Sequence, residues 1–126
     1  MRALVLDPNE GSIQIINIGS GFQAIRDAIS SEQRTCNMIA ALPVPIEGHV
    51  VYIDDEGLLQ SEVGKGTLFK DYRQPIAGRI VILGSNDEGE DLDASITLPE
   101  LAQHIMGIVS EEYMNRIDTE VTITRL

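Results

Sequence analysis

The sequence contains one cysteine, no tryptophan, two histidines and no long apolar run, and each scarcity excludes something. Cys36 alone cannot form an internal disulfide, which fits a reducing cytoplasm, and its place in an apolar run reads as a small buried hydrophobe rather than a nucleophile. No stretch approaches the length a membrane span needs. The opening Met1-Arg2-Ala3-Leu4-Val5-Leu6-Asp7-Pro8 stops at Asp-Pro, too short for a signal-peptide core and lacking a small-residue cleavage site. A cytoplasmic location is therefore expected. With His49 and His104 as the only histidines, catalysis has little to work with: no zinc spacing, nucleophile elbow or kinase signature occurs. His49 reads as the start of a strand and His104 as the edge of a helix. No catalytic residue, metal-ligand set or cofactor is assigned.

Cations are also short. Nine Lys and Arg stand against twenty Asp and Glu, giving a net charge of −11. That sign opposes phosphate backbones and anionic membranes and suits a basic partner, including a nucleic-acid-binding protein. Residues 1–46 carry −1, residues 47–100 carry −8 and the remainder −2, so the middle of the chain holds most of the field. At 126 residues and 43% hydrophobic composition, the chain has the size and apolar content of one globular domain, residues 1–126.

Three turns punctuate the chain: Asn9-Glu10-Gly11, Asp55-Glu56-Gly57 and Asp87-Glu88-Gly89. Each follows a β-like run and ends on a glycine that can take a positive φ. The first two predict hairpins, joining Arg2–Asp7 to Ser12–Ile18 and His49–Ile53 to Leu58–Gln60. Phe22, Ile25 and Ile29 form the stripe of one amphipathic helix, capped by Ser20 or Gly21 and expected to face a sheet containing Ile76–Leu83. Thr97-Leu98-Pro99-Glu100 has capping-box spacing. Leu101, Ile105, Ile108 and Val109 then read as the buried stripe of a second helix, continuing toward Arg116. Cys36–Leu42, Val50–Ile53 and Ile76–Leu83 are β-rich, and Thr119–Thr124 alternates as a half-buried C-terminal strand, expected to pair at a sheet edge within the chain or across a homodimer. The expected fold is α+β with a mainly antiparallel sheet, in the order ββαββ, a variable segment, then βαβ, with two helices covering one face.

Two motifs resemble ligand loops. Gly19-Ser20-Gly21-Phe22-Gln23-Ala24 matches the dinucleotide fingerprint, but its preceding strand belongs to a hairpin and the next strand ends in Leu42-Pro43 without an acid for a ribose. A plain helix-start turn accounts for it better. Asp87, Glu88, Glu90, Asp91 and Asp93 crowd five carboxylates into seven positions, yet Asp91 and Leu98 stand where an EF-hand needs glycine and glutamate. A solvated acidic loop, or a surface imitating phosphates, is the alternative to a divalent site. The segment Glu62–Gln74 sets Lys65, Lys70 and Arg73 among Phe69 and Tyr72, a basic and aromatic island of the types that anchor interfaces. Phe69, Tyr72 and Arg73, with Asp87, Glu88, Glu90 and Asp91, are the candidate binding residues.

These features together resemble a family of small proteins of unknown function found in bacteriophages, plasmids and bacterial genomes. The carrying residues are the opening Met1–Pro8, the helix start Gly21-Phe22-Gln23-Ala24-Ile25, the phrase Val51–Leu59 and the run Pro75–Gly84, with the acidic loop and the Leu98-Pro99-Glu100 helix start following. The likeness covers residues 1 to about 108, and the C-terminal strand is an addition to it. A Leu-Pro-Asn-like stretch usual after the Glu-Gly-Leu turn is replaced here by Gln60-Ser61-Glu62-Val63-Gly64. The resemblance brings no catalytic residues. Small size, the lack of catalytic motifs, strong acidity and the island of anchor-type residues point to a non-enzymatic interaction protein of a phage or mobile element that binds a host protein, and the resemblance implies counter-defence inhibition as its purpose. A small-molecule or nucleotide-binding domain is the second reading, and a metal-dependent enzyme using the acidic loop is the third.

Overall fold

The chain opens on a strand that must be buried on both sides. In a computed structural model, which describes residues 1–32, 34–59 and 63–116, β1 (Arg2–Asp7) has five consecutive buried residues. Leu4 and Leu6 point into one core, Ala3 and Val5 into another. β7 (Ile80–Ser85) splits the same way, with Ile80 and Ile82 on one side and Val81 and Leu83 on the other. Continuous apolar runs of this kind mark strands covered on both faces. The remaining strands of this sheet are β2 (Ser12–Asn17), β3 (Ile39–Leu42), β4 (His49–Asp54) and the short β8 (Asp91–Leu92). Their order is β2-β1-β7-β4-β3, with β8 also on β7, and every pairing is antiparallel. A second antiparallel sheet, β6-β5-β9, is built from β5 (Gly66–Phe69), β6 (Ile76–Ala77) and β9 (Ile105–Val109).

The molecule is three-layered. Helix α1 (Phe22–Ile29) covers one face of the first sheet, sinking Ile25 and Ile29 beside Val5, Val81 and Leu83. Each such side chain contributes about 1.5–3 kcal/mol on burial. The other face is covered by the second sheet, through Phe69 and Ile76, and by Leu101 of the short helix α2 (Leu98–Ala102). The chain is thus an α+β protein with antiparallel sheets, and the ββαββ opening is present. The two helices lie on opposite faces, however, because both faces of β1 and β7 are apolar and each needs a cover. No helix among the described residues is long and apolar enough to cross a membrane.

Several local expectations hold. The β1–β2 hairpin runs in register from Arg2↔Asn17 to Asp7↔Ser12. Gly21 is the N-cap of α1, without a side-chain cap. Thr97 and Glu100 form the full capping box at α2, with proline in the first turn.

Others are corrected. The second predicted hairpin does not form, since β4 is paired on both sides, to β3 and β7, and Gly57–Leu59 is a 3-10 turn instead. That turn is held by Asp54 Oδ1, which accepts from the Glu56 amide at 2.9 Å, and by Arg34, whose Nη2 donates to the Gly57 carbonyl at 3.0 Å. The run Ile76–Leu83 is two strands in different sheets, because Gly78, at φ 81°, turns the chain between them. The second helix ends at Ala102, and Ile105, Ile108 and Val109 belong to β9, where Ile105↔Phe69 and Val109↔Gly66 pair with β5. Three β-branched residues flank Gly107 and favour a strand, and the alternation of β9 half-buries Ile105 and Val109 but leaves Ile108, expected in the buried stripe, exposed. His104 therefore lies between α2 and β9, and a separate helical segment covers residues 111–116. The variable segment itself contains β5. The C-terminal strand Thr119–Thr124, and with it the homodimer pairing, lies outside the described residues.

Candidate binding groove

The basic and aromatic island does not survive as a unit. Phe69 is 1% exposed and packs in the core between the sheets, so it is a structural residue and not a surface anchor. It ends β5 opposite Ile105, where an inward-facing aromatic fills the gap between the two sheets. Tyr72 is half-buried against the same core, and Arg73 is exposed beside it. Together they rim a shallow depression with Leu68 and Met106.

The acidic loop is organised by Asn86. Its Oδ1 accepts from the Glu88 and Glu90 amides at 3.0 and 2.9 Å, while its carbonyl accepts from Gly89 at 3.0 Å. Asp87, Glu88 and Glu90 consequently face water. Asp91 turns inward, and its Oδ1 accepts the Tyr52 hydroxyl at 2.6 Å. Among the described residues no three ligating side chains converge on a metal position. The loop and the island line different cavities, so the structure does not bring the two halves of the predicted site together.

It instead joins the loop to residues expected in the core or passed over. Phe22 is 65% exposed and Met38 55% exposed. Phe22 lies on the same helical stripe as Ile25 and Ile29, yet under the first turn of α1 there is a groove where a strand would otherwise pack. That groove, of about 490 Å³, is lined by Phe22, Arg26, Met38, Ile39, Ala41 and Tyr52. Its floor is the edge of the sheet: among the described residues β3 pairs only with β4. The Asp55 amide donates to the Met38 carbonyl at 2.9 Å, which in an antiparallel ladder turns the backbone groups of Ile39 and Ala41 outward. A second cavity of about 400 Å³ adjoins the first and shares Phe22 and Tyr52 with it; Met1, Ser20, Gly21, Gly89, Glu90 and Asp91 complete its wall. The two aromatic side chains thus form a partition between an apolar groove and an acidic recess. Burial, followed by the bond to Asp91 and that carboxylate's charge, pushes the Tyr52 phenol well above its ordinary value, so it remains a donor to Asp91.

The glycine-rich helix start opens into this acidic recess. Two carboxylates opposite the N-terminal end of α1 oppose a pyrophosphate there, in agreement with a structural reading of Gly19–Ala24. The sequence signal that could have identified the groove was Tyr52, which alternates with the buried Val51 on β4 and so had to emerge on the α1 face.

Elsewhere the reactive side chains are engaged. His49 Nε2 accepts from the Ser95 and Ile96 amides at 3.0 and 3.1 Å, and Nδ1 meets the Glu47 carbonyl at 2.9 Å. The Ser95 hydroxyl lies 3.5 Å from Nε2, a nitrogen whose lone pair is already taken, so the pair is not a nucleophile and base. Burial, and then the nearby Asp54 carboxylate, push the Cys36 thiol up to about 11.

No curated protein and no solved structure matches the chain. The model of one family does, over residues 1–107, from the first strand into β9, and the chain belongs to that family, described as a domain of unknown function (DUF3846).

Proposed function

We propose that this chain is a non-enzymatic binding protein that captures an extended segment of a partner protein in the groove between α1 and β3. The observation that carries this reading is the placement of exposed Phe22 and Met38 directly beside a strand edge that is open among the described residues. An edge with outward N–H and C=O groups takes an added strand through its backbone, while flanking apolar side chains supply affinity and choice of sequence. Ala40 and Ala41 leave room for the incoming backbone, and Phe22 supplies an aromatic of the kind that dominates interface energy. A partner held this way is blocked rather than transformed, so inhibition of a host protein in the cytoplasm is the action we assign to it.

The test places a photo-crosslinking residue at Met38 and, as a control, at Gln14 on the opposite edge strand β2, in cells of the host. A discrete adduct is expected from position 38 and not from position 14, and Phe22→Asp should reduce it tenfold or more. Equal labelling from both edges, or an adduct indifferent to Phe22→Asp, overturns the reading.

A further inference from the structure

We infer that the partner segment places an arginine side chain in the acidic recess beside the groove, between Phe22, Tyr52, Glu90 and Asp91. The inference rests on the groove reading and adds the chemistry of what is recognised. Two features select a guanidinium. The walls are aromatic on one side, and a planar delocalised cation stacks on aromatic faces. Next to the Tyr52 hydroxyl the lining is carboxylate. Asp91 Oδ1 is committed to the Tyr52 hydroxyl, which fixes the carboxylate and leaves Oδ2 for a ligand. Among the described residues the Glu90 carboxylate has only a long contact, 3.4 Å, from Asn86 Nδ2. Neither acid pairs with a cation among the described residues.

The opposing charges are accounted for. Met1 lines the recess, but its ammonium donates to the Ile18 carbonyl at 2.6 Å, and one ammonium stands against two carboxylates in the charge balance. Arg26 lies in the apolar groove on the far side of the Phe22–Tyr52 partition, where its Nη2 donates to Gln23 Oε1 at 3.0 Å. The site is therefore polar along its length. It favours a cation at the loop end and a neutral apolar side chain next to Arg26, which sets the direction of the bound segment. The excess of negative charge over the whole chain reinforces this choice at longer range.

The probe is acetyl-arginine amide, titrated into the full chain and followed by amide NMR, with the isosteric neutral acetyl-citrulline amide as comparison. The arginine compound should move the Phe22, Tyr52 and Gly89 resonances saturably, and the citrulline compound should not. Phe22→Leu removes the aromatic face while keeping an apolar side chain, and Glu90→Gln removes one charge. Each should weaken binding roughly two- to fivefold, the scale of an exposed cation–π contact or ion pair. Both positions are exposed, so unchanged melting temperatures confirm that folding is not the cause. Equal binding of citrulline, indifference to both substitutions, or shifts spread over Asp55, Asp71 and Glu111 overturns the inference. If the arginine compound fails while position 38 still crosslinks, only the chemistry of the recess is wrong. If it binds while crosslinking fails, the recess is a cation site and the groove reading falls.

Discussion

The Cys36 thiol is 5% exposed, and its Sγ donates weakly to the Met38 carbonyl at 3.4 Å. Burial disfavours the thiolate, and Asp54 adds to the effect by charge and hydrogen bonding, raising the thiol from 9.0 to about 11. The folded protein therefore holds this proton more tightly than the unfolded chain does. The resulting stabilisation is fully present below about pH 9 and is lost as the pH rises toward 11. Tyr52, also raised, adds loss in the same direction at higher pH. Two outcomes are expected. A thiol reagent at pH 8 should label Cys36 only at the rate of opening, with immediate reaction in denaturant. Cys36→Ala should also blunt the fall in stability between pH 9 and 11, measured by urea unfolding across that range. Labelling of the native protein as fast as a free thiol would show that Cys36 is not shielded. Arg34 works at the same scale, donating to the Val63 and Gly57 carbonyls and so tying the chain ahead of β3 to two later segments. Nothing in the sequence near Arg34 announces that role, since its partners are backbone groups distant along the chain.

Among the strands, the packing of β8 on β7 depends on Gly84. A Cβ added there would meet the Asp93 carbonyl oxygen at 2.4 Å, a backbone atom that cannot rotate away. Gly84→Ala should push β8 off β7, cost about 1–3 kcal/mol, and loosen the Tyr52–Asp91 bond that shapes the recess. Gly107→Ala in β9 meets nothing within 4 Å and serves as the control, with an effect within about 0.5 kcal/mol in urea unfolding. Equal effects of the two would remove the claim. The contrast between these glycines also marks what the sequence could reveal about the elements. The β1–β2 hairpin, α1 and the Thr97 cap rest on contacts between near neighbours, and their signals are local. The strand at Gly66–Phe69 and the strand at Ile105–Val109 depend on partners far along the chain. For Ile105, Ile108 and Val109 the spacing is helical, and pairing with β5 overrides it while turning Ile108 outward. The groove was half legible for the same reason. Glu90 and Asp91 stood out as acids in a loop, whereas Phe22 shares the stripe of Ile25 and Ile29, and only the position of the sheet edge leaves it uncovered.

For the molecule as a whole, if the proposed partner exists, the excess of acids makes its approach the step most open to control. Asp87, Glu88 and Glu90 are exposed on one loop that borders the recess. Of these, Asp87 and Glu88 lie outside its wall, so on the proposed reading they would act on a partner at a distance rather than by contact. Charges of this kind steer diffusional encounter, and salt weakens them once separations exceed the Debye length of about 10 Å at 0.1 M. Side chains buried at the centre of a contact govern dissociation instead. Once crosslinking has identified the partner, its association rate should fall about tenfold or more between 20 mM and 500 mM salt, with dissociation nearly constant. The double substitution Asp87→Asn, Glu88→Gln should slow association and flatten that salt dependence, again without faster dissociation. Phe22→Leu should do the opposite, speeding dissociation while leaving the salt slope of association unchanged. Rates measured at both salt concentrations for the three proteins separate the two roles. An association rate indifferent to salt would mean that the charge of this chain does not steer its partner. Faster dissociation of the loop variant would place Asp87 and Glu88 inside the contact, and the binding surface would then be centred on the acidic loop rather than on the groove.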